Sequence, residues 1–169
     1  LHSKWHFVAS IQLYSDLSPT YHPQGVKIIG DQIFLSTVEG KDQGAGHLLR
    51  YRFIDRENPA QGVIFVDQIT FDAGSGGAIN HAGGMDTDGE RIFVPLSANQ
   101  EEGPGQLLSV PLESFHAENV RVLATFDDHV GGILLDKLGG TLRLVDWSTG
   151  YYRLDLRTLL DQSSPLAVS

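Results

Sequence analysis

With 169 residues, 41% of them hydrophobic, and no cysteine, the chain has the composition of one globular domain with a sizeable core, which excludes general disorder, disulfides, thiolate metal sites and a cysteine nucleophile. A formal net charge of −9 repels phosphate backbones, so no nucleic acid partner is expected. No stretch reaches the roughly 18 apolar residues that cross a bilayer, so no membrane is expected either; the start at Leu1, without signal-peptide features, suits a processed product or a piece of a longer chain, and periplasmic, secreted and cytoplasmic locations stay open.

The first predicted element is an apolar strand over residues 5–13, Trp5-His-Phe-Val-Ala-Ser-Ile-Gln-Leu13. A pattern then begins that recurs three times: His22-Pro-Gln-Gly25-Val26, His81-Ala-Gly-Gly84-Met85 and His129-Val-Gly-Gly132-Ile133 all read His-x-x-Gly-apolar. Each opens a short strand that ends in a Gly/Asp turn, at Gly30-Asp31, Asp86-Thr-Asp88-Gly89-Glu90 and Asp136-Lys-Leu-Gly139-Gly140. A second strand follows each turn, over 32–37, 91–96 and 141–147, and a third starts behind a glycine each time, at Gly46, Gly105 and Gly150. Fourth strands are predicted over 62–71 and 119–126. The last unit lacks one, with only Leu166-Ala-Val168 as a candidate in its tail.

Four-stranded antiparallel units at this spacing are the mark of β-propeller blades. The expectation is an all-β chain, a single partial β-propeller domain over 1–169 with units of about 22–71, 81–126 and 129–156, forming half of a six-bladed ring. Three blades leave open edges, so a second copy of the chain or a missing C-terminal half is the expected partner, and strand 5–13 is the candidate to complete another copy's last blade.

The segments His22-Pro-Gln-Gly25, His81-Ala-Gly-Gly-Met-Asp-Thr-Asp-Gly-Glu-Arg91 and His129-Val-Gly-Gly132 resemble an uncharacterised family of bacterial propeller-like proteins, over about residues 20–156. The resemblance implies the propeller fold and a chain matching the N-terminal half of longer members; it implies no activity and no residue roles.

In a propeller the first strand of each blade lines the channel, so His22, His81 and His129 are expected to converge. One reading makes them ligands of a divalent metal ion, with Glu39, Asp42, Glu101 and Glu102 adding oxygen ligands and Glu101 the candidate base of a metal-assisted hydrolase or lyase acting on a lactone or uronic sugar. The other makes each histidine a structural latch onto the next blade's backbone, in a module whose channel face binds a small-molecule ligand. The glycine-rich insert 72–80 lacks the lysine and following helix of a phosphate loop and is expected to be a binding loop, with Gly76 and Gly77 in contact with ligand. Asp86-Thr-Asp88-Gly89 departs from a calcium loop in its early glycine and missing glutamate, and is expected to be a hairpin turn. Trp5, Trp147, Tyr151 and Tyr152 are expected to fill space between sheets.

Overall fold

The structure is a computed structural model and describes residues 10, 13, 21–39, 44–71, 79–100, 102–146 and 150–169. The expected strand 5–13 therefore lies outside the described residues, except Ser10 and Leu13. The described chain is all-β apart from short helical turns, and its hairpins are antiparallel.

Three sheets follow one another along the chain. The first is a meander of β1 (Tyr21–Ile29), β2 (Gln32–Glu39), β3 (Gly46–Phe53) and β4 (Val63–Phe71). The second has its first strand broken into β5 (His81–Ala82) and β6 (Asp86–Thr87), both paired to β7 (Arg91–Ser97), followed by β8 (Gly105–Pro111) and β9 (Arg121–Phe126). The third has three strands, β10 (Val130–Asp136), β11 (Thr141–Asp146) and β12 (Tyr151–Asp155). At the turns Gly30 and Gly140 adopt φ of 61° and 59°, a region that side-chain-bearing residues enter at a cost, which explains glycine at these two turns.

The tail departs from expectation. Behind β12 comes a helical turn, α1 (Leu156–Asp161), whose N-cap Asp155 accepts from the Thr158 backbone N–H; Leu159 buries against the third sheet. The chain then returns as β13 (Leu166–Val168), parallel to β9. The candidate strand in the tail thus extends the second sheet rather than the third, with α1 lying against β12 and β9 on the way.

Strand alternation places the core in layers. Phe34, Leu48 and Ile69 of the first sheet pack against Ile92, Val94 and Leu108 of the second. The neighbouring residues Phe93 and Leu107 face the other way, onto Leu142, Leu144 and Leu154 of the third. The middle sheet is therefore buried on both faces, and its second strand reads as a continuous apolar run.

Candidate functional site

The histidine segments have a common backbone distortion. In β1 the pairing skips Gln24 and in β10 it skips Gly131, each two residues after its histidine. In the second sheet Ala82 pairs with Leu96 and Asp86 with Phe93, four residues against three, which is the same one-residue bulge. Bulges bend these strands where the three sheets come closest. Gly84 N–H donates to the Gly131 carbonyl at 2.9 Å, and Ser36 Oγ donates to the Gly83 carbonyl at 2.7 Å. A Cβ on Gly83 would sit 2.2 Å from the Gly131 oxygen, and one on Gly25 2.9 Å from the Gly84 Cα, so glycine at these two positions lets the backbones touch. The glycine before each third strand has a related reason. A Cβ on Gly46 would lie 2.0 Å from the Asn80 oxygen, and one on Gly105 2.7 Å from the Asp128 oxygen, in each case the residue before the next histidine.

These contacts bring the three histidines together as a chain of neighbours. Gln24 Nε2 lies 2.8 Å from His22 Nδ1 and 3.3 Å from His81 Nε2, and the His81 and His129 rings are 5.9 Å apart. With the amide donating, both imidazoles accept, and the His81 proton sits on Nδ1, a buried atom without a hydrogen-bond partner among the described residues. Burial first, then the nearby His129 and His22 charges, push the His81 pKa below its ordinary value, so the His81 ring favours its neutral form. His22 is exposed and His129 buried; His129 Nδ1 is 3.0 Å from the Ala98 carbonyl of the preceding sheet's loop, which is a latch. Among the described residues no group of three or more His, Asp or Glu side chains is arranged to hold a metal ion.

The candidate partners of the histidines divide. Glu39 Oε1 is 3.0 Å from Nε2 of His47, a buried residue on the far face of the first sheet, so this carboxylate is engaged away from the trio. Glu102 is exposed in the β7–β8 connection. Glu101, Asp42, Gly76, Gly77, Trp5 and Trp147 lie outside the described residues. Tyr152 packs into the core as expected, its ring 5.0 Å from that of Phe126, whereas Tyr151 is 71% exposed.

Beyond the histidines the same strands line a groove of about 760 Å³. Its wall includes Gly25 and Val26, Gly84 and Met85, and Gly132 and Ile133, which are the third and fourth positions after each histidine. Residues 2–160 match DUF6454, a family of unknown function. The chain is a DUF6454 protein. A search of curated proteins finds no match.

One buried group of this DUF6454 chain is read from sequence only as part of a turn. The hairpin turn does form, with the Asp88 carboxylate accepting from the Glu90 and Arg91 backbone N–H groups. Asp86, however, points inward and joins all three sheets: Lys27 Nζ of β1 donates to Oδ1 at 2.5 Å, and Leu135 N–H of β10 donates to Oδ2 at 2.8 Å. Burial opposes its ionisation, but the Lys27 ammonium and the Leu135 and Thr87 amides outweigh that and hold the carboxyl below its ordinary value. The available signal was positional, since Lys27 and Asp86 each stand five residues after a histidine.

Proposed function

We infer that the chain is a ligand-binding module built as a partial β-propeller, its three units side by side with their first strands innermost, and that the groove between those strands receives a small molecule with an apolar body. The observation that supports this reading is the lining: the same two positions of the repeat, from three separate sheets, meet around one space. Val26, Met85 and Ile133 supply apolar wall, Arg143 and Arg153 supply positive charge at one side, and the histidines stand three to four residues before the lining positions. The ligand that suits this is an anion with a ring or chain attached.

Anilinonaphthalene sulfonate, which has that form, is the probe. The folded protein enhances its fluorescence, and Val26→Trp, which fills the groove from a position that is 60% exposed and so spares the core, abolishes the enhancement. Equal fluorescence from both proteins would refute the groove as the site.

A second reading, a divalent metal ion at His22, His81 and His129 in a metal-assisted hydrolase or lyase, draws on one arrangement. Nδ1 of His22 and Nε2 of His81 both face the Gln24 amide nitrogen, so a cation that displaced this side chain would meet two imidazoles. Metal analysis of protein never exposed to nickel tests it: stoichiometric metal lost in His81→Ala supports the enzyme, and its absence from the native protein leaves the binding module.

A further inference from the structure

The hairpin registers define one row across each sheet, starting at the fifth residue after the histidine. In the first sheet the row is Lys27, Phe34, Arg50, Asp67. In the second it is Asp86, Phe93, Ser109, Arg121. In the third it is Leu134, Arg143, Arg153, and there it stops, because among the described residues β12 has β11 as its one neighbour.

The first two rows face the following sheet. Lys27 reaches Asp86, Phe34 enters the core shared with the second sheet, and the Arg50 guanidinium lies 4.6 Å from the Phe115 ring centroid. Asp86 reaches the Leu135 amide, Phe93 enters the next core, and Arg121 donates to the Gln162 carbonyl at 2.8 Å. The third row faces outward. Leu134 is 60% exposed, and beside the row Val145 and Tyr151 are 51% and 71% exposed.

Arg153 holds the place that Arg50 holds in the first sheet. Arg50 is clamped by the strand beside it: Nε and Nη2 donate to the two oxygens of Asp67 at 2.8 and 2.5 Å, a bidentate pair supplied by β4. Arg153 has Arg143 directly opposite on β11, two like charges side by side, and neither has a carboxylate partner among the described residues. An unpaired strand edge with an uncompensated arginine pair is a template for an added strand of the opposite charge.

We propose that the free edge of β12 binds an extended peptide segment that adds antiparallel as a fourth strand and places a carboxylate opposite Arg153. The strand brings two things at once: backbone hydrogen bonds along 151–155, and a bidentate acceptor that neutralises the arginine pair. Segment 5–13, Trp5-His-Phe-Val-Ala-Ser-Ile-Gln-Leu13, carries no acid and so is the wrong occupant for this edge, even from a second copy. The proposal rests on the equivalence of the three units in the reading above and shares Arg143 and Arg153 with the groove, but not its apolar wall, so failure of the Val26→Trp dye experiment leaves it standing.

The probe is a fluorescein-labelled peptide of residues 62–72, Gly-Val-Ile-Phe-Val-Asp-Gln-Ile-Thr-Phe-Asp, which contains the strand that fills the equivalent edge of the first sheet. Fluorescence anisotropy with the full chain should show saturable binding that weakens about tenfold when the peptide carries Asp67→Asn or the protein carries Arg153→Ala, with hydrogen-exchange protection of the 151–155 amides. Both arms leave the core untouched, since Arg153 is exposed. Equal affinity for the Asp and Asn peptides, tighter binding of a 5–13 peptide, protection elsewhere than β12, or no binding at all would each overturn the proposal.

Discussion

The seam between the second and third sheets and the outer face of the third sheet use the same row of positions for opposite ends. At the seam the row centres on Phe93, fully buried, with Asp86 crossing to the Leu135 amide; on the outer face the equivalent of Phe93 is Arg143, in solvent. Matching register positions in neighbouring sheets are therefore a core position in one and a charged surface in the next. The energetic worth of these residues is set by what lies opposite the strand rather than by the strand itself, and that contrast can be tested position by position.

The largest effect should come from Phe93→Ala, which empties a packed site and costs about 4 kcal/mol of unfolding free energy, while Arg143→Ala at the matching position stays within about 0.5 kcal/mol. Urea denaturation of the two variants measures the contrast directly, and comparable losses would mean that the outer face is as covered as the seam. Asp86→Ala comes next, at about 3 kcal/mol, because Lys27 and the Leu135 amide lose their shared acceptor. This contribution depends on pH. The folded-state pKa of Asp86 lies below the ordinary 3.8, so its stabilisation is complete above that value and fades as pH falls through the folded-state value. Urea midpoints of the native protein and the variant should accordingly converge in strong acid and diverge towards neutrality.

Neighbouring glycines offer a finer comparison. A Cβ on Gly83 would press on the Gly131 oxygen at 2.2 Å, whereas one on Gly84 would find its nearest neighbour, the Gly132 Cα, at 3.7 Å. Gly83→Ala should cost about 2 kcal/mol and Gly84→Ala about 0.5 kcal/mol or less, read as shifts in thermal midpoint. The smallest effect concerns the histidines. NMR titration should place His81 below 6.5, and replacing His129 by Phe, which keeps the bulk but removes the charge, should move it part of the way back. An unchanged value would show that the His129 charge has no part in the shift.

Much of the secondary structure was legible because it depends on local rules. The turn glycines, the β-branched runs and the recurring His-x-x-Gly pattern mark the strands of all three sheets within a residue or two, apart from the break between β5 and β6. The tail was not. Asp155 capping a Leu-rich turn at 156–161 is a helix signal too short to stand out, and β13 pairs with β9, some 40 residues back in the chain, as no local pattern requires. For the site, the convergence of the three histidines followed from the repeat. Their grading did not: His22 exposed, His81 bridged by Gln24, His129 latched to Ala98.

By itself the sequence determined the all-β character and the strands of the antiparallel hairpins, since alternation and turn chemistry act over a few residues. Tertiary structure alone decided that Asp86 is a buried tie rather than a turn residue, that Gly83 touches Gly131, and that the arginine row of the third sheet faces solvent. These facts depend on which residue, some 50 positions away, lies across a gap of a few ångströms, and such distances arise only when whole sheets pack.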